Sequence, residues 1–153
     1  MMALFINFLA LFLLMLVTGA FWGPWFAVTR SLSVLSAGEF IKITRILSAN
    51  LGPAMRFLLP GCILIMGLAV WLFPHQAGAS IYLGITSVAL IIVSLVVTVA
   101  IEVPIVKEVE QWTAATVPSN WTVKRDRWLK FHIVRVLVSL AAFACFSAAM
   151  LLK

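Results

Sequence analysis

EVPIVKEVEQWTAATVPSNWTVKRDRWLKFHIVR, residues 102–135, interrupts an otherwise apolar chain. The stretch holds Glu102, Glu108, Glu110 and Asp126, all but one of the 5 acidic residues. It also holds Lys107, Lys124, Arg125, Arg127, Lys130 and Arg135, out of 11 basic residues, and one of the 2 histidines, His132. Its second half is periodic. Trp121, Arg125, Trp128, His132, Arg135 and Ser139 follow one another at alternating spacings of 4 and 3, which puts them on one face of a helix. The stripe leaves a charged loop and runs into a hydrophobic segment. Chemistry is to be sought where it enters the apolar layer.

On either side of this stretch lie apolar runs, 80–101 and 131–152, each long enough to cross a bilayer core of about 30 Å. Two more precede them, at 3–22 and 54–73. The third run is rich in β-branched residues, yet a lone strand cannot cross lipid, so it is expected to be helical. The chain of 153 residues is 64% hydrophobic and 10% charged, against about 25% charged for a soluble domain. The expected class is all-α: an integral membrane four-helix bundle forming one domain over 1–153.

The first run competes with a signal-peptide reading, since Thr18-Gly19-Ala20 faintly resembles a cleavage site. It has no basic flank and exceeds the usual apolar length, which favours a retained helix. Asn7, Leu11, Leu14, Thr18, Trp22 and Trp25 share one of its faces, and Gly23-Pro24 is expected to end it. Phe40, Ile43 and Leu47 then fall on one side of a segment whose other sides carry Glu39, Lys42 and Arg45. An additional amphipathic helix is therefore expected over about 37–49, between the first two spans, with Asn50 and Pro53 as its boundary. Pro60-Gly61 should disturb the second span. In the last run, Ala141, Ala144, Ala148 and Ala149 offer close approach to a neighbour.

Charge fixes an expected orientation. Arg30, Lys42, Arg45 and Arg56 belong to the connector at 23–53 or its margin. Six more basic residues belong to the connector at 102–130 or its margin, and the turn at 74–79, which includes His75, has no Lys or Arg. Positive loops stay inside, so both connectors should be cytoplasmic and both termini outside, with a bacterial inner membrane as the setting. The net charge of +6 is thereby explained without nucleic acid. Cys62 and Cys145 sit in apolar runs without a CxxC spacing and read as small buried hydrophobes.

Glu102 closes the third span, and a carboxylate at that depth needs a partner. Arg125, His132 and Arg135 are the candidates. Either they form a salt bridge that pins two helices, or they line a polar pocket at the mouth of the bundle. In the second case His132 is the expected proton acceptor, with Arg125 and Arg135 stabilising the anion that forms. Trp121 and Trp128 either stack on a flat ligand or anchor the interface. A metal set drawn from Glu102, Glu108, Asp126 and His132 has weaker support, because no HxxxH or ExxH spacing occurs. No nucleotide motif is present, and no resident cofactor is expected.

Two motif pairs carry a resemblance. FWGPWFAVTRS at 21–31 is followed by SANLGPAMRFLLP at 48–60, and EVPIVKEVEQW at 102–112 by PSNWTVKRDRWLKFHIVR at 118–135. In this pattern the chain resembles the anthrone oxygenase-like family of small four-helix membrane proteins. The resemblance implies a monooxygenase that oxidises anthrones to anthraquinones with molecular oxygen as co-substrate and no cofactor. For such an oxidoreductase the residues expected to act are Glu102, Arg125, His132 and Arg135, with Trp22, Asn50, Trp112 and Trp128 around a small hydrophobic aromatic substrate. Many relatives carry Asn near the positions of Glu102 and His132, where this chain departs from them. The alternatives are a non-enzymatic membrane protein that binds lipid or a small ligand or scaffolds a partner, and a small transporter. A transporter of four spans would need to form a homo-oligomer. The binding alternative requires the polar residues to pair off completely and leave no cavity.

Overall fold

Long apolar segments with nowhere to bond their backbone except internally fold as helices. The computed structural model describes residues 1–73 and 78–152, and within them every regular element is helical. The chain runs as α1 (Met2–Ala27), a 3₁₀ segment (Thr29–Val34), α2 (Ala37–Trp71), α3 (Gly78–Val97), a π turn (Thr98–Glu102), α4 (Val103–Glu110) and α5 (Trp121–Leu151). Among the described residues four helical stretches are long and apolar enough to span a bilayer, so this is an integral membrane four-helix bundle. Phe5, Phe8, Leu64, Trp71, Tyr82 and Ile85 all point outward, an exterior suited to lipid. His75 lies outside the described residues, as does the turn around it up to Gly78.

The helices extend beyond the apolar runs that announce them. α1 passes through Pro24, because proline lacks only its own N–H. The Pro24 carbonyl still accepts from Val28 N–H at 2.9 Å. The amphipathic helix expected at 37–49 is present but continuous with the second span through Asn50 and Pro53. Its start is fixed by a capping box: Ser36 Oγ accepts from the Glu39 N–H, and the Ser36 N–H donates to Glu39 Oε2 at 2.8 Å. The connector expected at 102–130 shrinks to residues 111–120, since α4 carries the third span on to Glu110 and α5 begins at Trp121. EVPIVKEVE is amphipathic, and burying Ile105 and Val109 keeps it helical.

α1 packs on α2 and α5, and α3 packs on the same two helices from the other side. The α3–α5 seam has a seven-residue rhythm, with Ser80, Ser87 and Ser94 all buried. Ser80 Oγ donates to Ala149 O at 2.6 Å and Ser87 Oγ to Ala142 O at 2.7 Å. Of the alanines expected at a seam, Ala149 is buried there, whereas Ala141 and Ala144 are exposed and Ala142 takes the inner position. Gly84 brings α3 against α2: a Cβ there would lie 2.9 Å from Val70 Cγ2. Cys62 is buried and Cys145 half-buried, and both are free.

A second, smaller core covers the charged end of the bundle. Leu32, Phe40, Ile41, Ile105, Val109, Trp112 and Trp128 pack together there. Arg45 holds it shut by donating from Nη2 to Glu110 O and Trp112 O, both at 2.7 Å. Glu110 O is a carbonyl that the end of α4 leaves unpaired, Trp112 O follows in the connector, and a cation is favoured beside a helix C-terminus. Lys124 ties α5 to α4 through Glu108 at 2.8 Å.

Candidate functional site

The site begins with a proline. Pro104 has no N–H, and its ring would crowd the carbonyl of Ala100 in a regular helix. The backbone widens instead, and the Val103 N–H bonds Thr98 O, five residues back. Such π turns concentrate at functional sites because they re-aim one side chain within an intact helix. Here Glu102 closes the turn and is 3% exposed.

From α5 the inward stripe meets it. Arg135 Nη1 lies 2.6 Å from Glu102 Oε2 and 3.2 Å from Thr98 Oγ1. Its Nη2 lies 2.8 Å from His132 Nδ1. Arginine can only donate, so Nδ1 accepts, and the proton of the neutral imidazole sits on Nε2. His132 Nδ1 is 3.7 Å from Glu102 Oε1, too far for a hydrogen bond. The imidazole stacks on Trp128 with centroids 5.1 Å apart and planes 6° apart. The Arg135 guanidinium lies 4.2 Å over the ring of Phe21 from α1. Four polar atoms of these residues are buried without a protein partner: Glu102 Oε1, an acceptor, and three donors, His132 Nε2 in this tautomer, Trp128 Nε1 and Arg135 Nε.

These residues line one cavity of about 550 Å³. Its remaining wall is largely apolar, with Phe21, Leu51, Met55, Leu59, Leu95 and Val99 among the contributors. That size falls within the range of about 300–1,000 Å³ typical of small-molecule sites. An apolar chamber with a few convergent polar groups suits a flat hydrophobic ligand that gains or loses a proton.

Four of the eight residues expected at the site do line this cavity: Glu102, Trp128, His132 and Arg135. The other four do not. Arg125 pairs with Asp126 at 2.9 Å, donates to Leu32 O at 3.4 Å and lies 5.2 Å over Trp121. It serves the second core. Trp22 is 39% exposed on α1, against Trp25 and Phe26. Asn50 is exposed on α2 and lies outside the lining, although Ser48 and Leu51 on either side contribute. Trp112 is buried in the second core, because the chain turns after α4 and folds the indole beneath it. The conceivable metal set is also dispersed, with Glu108 on Lys124 and Asp126 on Arg125.

Sequence reasoning missed four contributors, Phe21, Arg56, Thr98 and Lys107. Thr98 had a signal, since Ser87, Ser94, Thr98 and Glu102 lie roughly on one face. Phe21 had none, because its role depends on how α1 packs. Arg56 and Lys107, which also line the cavity, read from sequence as ordinary loop charges.

A family model described as anthrone oxygenase matches residues 52–145, from within α2 to late α5. The match takes in Glu102, Trp128, His132 and Arg135. No curated protein and no solved structure matches the chain.

Proposed function

The chain belongs to the anthrone oxygenase family, and on that premise we propose that it is an intramembrane oxygenase for a hydrophobic phenolic, anthrone or quinone-like molecule. In this reading molecular oxygen is the co-substrate and no resident cofactor takes part. The observation that supports it is the set of unpartnered polar atoms, among them Glu102 Oε1 and His132 Nε2, on residues that line a largely apolar cavity. A purely structural network would be expected to pair off and leave no space.

The chemistry is proton management. Glu102 accepts a proton from the methylene or phenolic hydroxyl of the substrate, and His132 Nε2–H donates to the oxygen on which charge develops. As the carboxylate becomes neutral, Arg135 exchanges one anionic partner for another, the enolate. The enolate supplies one electron to oxygen, and the radical and superoxide combine to a peroxide anion. Glu102 returns its proton to that peroxide. Loss of the second hydrogen from the same carbon breaks the O–O bond and releases water, leaving a quinone. One oxygen atom ends in the product and one in water, so the electrons balance without another reductant. This assigns proton abstraction to Glu102 rather than His132, because Arg135 occupies the only acceptor nitrogen of the imidazole. Arg125 has no part in it.

Oxygen uptake and quinone absorbance with a panel of anthrones, hydroquinones and phenols test the proposal. Glu102→Gln and His132→Phe are expected to lower turnover by about 100-fold or more while the protein stays folded. If no panel member is consumed by folded wild-type protein, the ligand-binding alternative takes its place.

A further inference from the structure

The cavity has a buried end and a mouth, and they differ in charge. Glu102, His132 and Arg135 form the buried end. Arg56 on α2 and Lys107 on α4 also line the cavity but are exposed, which puts them at the mouth. The neighbouring cations are engaged: Lys124 with Glu108, Arg125 with Asp126, Arg135 with Glu102, and Arg45 with two carbonyls. Among the described residues, Arg56 and Lys107 have no hydrogen bond or ion pair. Besides Glu102 at the buried end, the lining holds a second carboxylate, the half-buried Glu110 near the mouth, and its side chain is unpaired as well. The mouth therefore carries two free cations against one anion.

We infer that the substrate is an amphiphilic aromatic monoacid. Its rings fill the apolar body and reach Glu102 and His132. Its acidic group rests at the mouth against Arg56 and Lys107. This rests on the aromatic-substrate reading above and adds the polar end of the molecule. Charge-assisted bonds from an arginine and a lysine suit a carboxylate, and their solvated position spares the acid full desolvation. Glu110 repels a second negative group, so a dianion is disfavoured. The same geometry orients the molecule, since an acid held at the mouth leaves only the far ring at the buried end.

The test uses purified full-length protein in phosphatidylcholine nanodiscs. Anthraquinone-2-carboxylate and anthraquinone-2-carboxamide are compared by tryptophan quenching and calorimetry. The carboxylate is expected to bind about tenfold tighter or better. The double variant Arg56→Gln/Lys107→Gln should erase that preference and leave the carboxamide affinity unchanged. Equal affinities in the wild type overturn the inference and leave the proposed function standing. A preference that survives in the double variant also overturns it, because the acid then sits elsewhere. If neither probe binds, the inference and the aromatic-substrate reading fall together. Adding phosphatidylglycerol should not change the preference. Its loss would assign the two cations to lipid headgroups and overturn the inference.

Discussion

At the scale of single residues, the Glu102–Arg135 pair decides what the buried end of the cavity is for. A buried ion pair is a poor source of stability, because desolvating two charges offsets most of their attraction. Removing one member is costly, since the other is left buried alone. Arg135→Met is therefore expected to lower stability by about 3–5 kcal/mol, read from thermal unfolding in detergent. Glu102→Leu/Arg135→Met should recover most of that loss, to within about 1 kcal/mol of the wild type, and abolish turnover. A double variant as unstable as the single one would mark the pair as a structural strut. Of the three partners the sequence offered Glu102, Arg135 pairs with it, His132 lies beside the pair and bonds Arg135 instead, and Arg125 does not reach it. The stripe gives the azimuth of a residue around α5 but not its depth. Arg125 lies ten residues from Arg135, about 15 Å along the axis, and so reaches the second core instead.

At the scale of elements, helix type was legible almost everywhere, but helix ends and the one irregular turn were not. Gly23-Pro24 marks an end that α1 passes by three residues, because Pro24 keeps its carbonyl in the helix. α2 was split at Asn50 and Pro53 although Ser36 and Glu39, at capping-box spacing, already marked where it begins. The π turn left only Pro104 as a trace, placed where a polar face meets the charged stretch. That turn is open to a direct test. Pro104→Ala removes the crowding at Ala100 and lets Thr98–Glu102 relax toward a regular helix. Stability should hold or rise, because alanine is favoured over proline within a helix by up to about 3 kcal/mol. Turnover should fall by about 100-fold, since re-aiming Glu102 by even 1 Å misplaces the proton acceptor. Thermal unfolding and oxygen uptake on the same preparation separate the two effects. Full activity in this variant would show that the turn merely accommodates the proline.

At the scale of the whole molecule, four spans were readable from hydropathy because lipid leaves a chain so few options. The polar end of the cavity was readable in Glu102, His132 and Arg135, but its apolar body was not. It depends on α2 meeting α3 closely at Gly84 while α2 and the α3–α4 rod leave a chamber between them nearer the charged end, and no local pattern encodes that spacing. What the sequence does carry is charge asymmetry, with 10 of the 11 basic residues in or beside the two charged connectors and only Lys153 outside them. The cavity mouth, with Arg56 and Lys107, lies at that same end. Positive loops are retained on the cytoplasmic side, and an even number of spans returns both termini to the opposite side. The expected outcome in a bacterial inner membrane is thus an active alkaline phosphatase fused after Lys153 and an inactive one inserted within 111–120. Fluorescent-protein fusions should give the reverse pattern. Fluorescence from the fusion after Lys153 would invert the molecule and place the mouth at the outer leaflet. With the expected orientation, an amphiphilic acid partitioned into the inner leaflet would meet Arg56 and Lys107 first, and the proposed substrate would be delivered from the cytoplasmic side of the membrane.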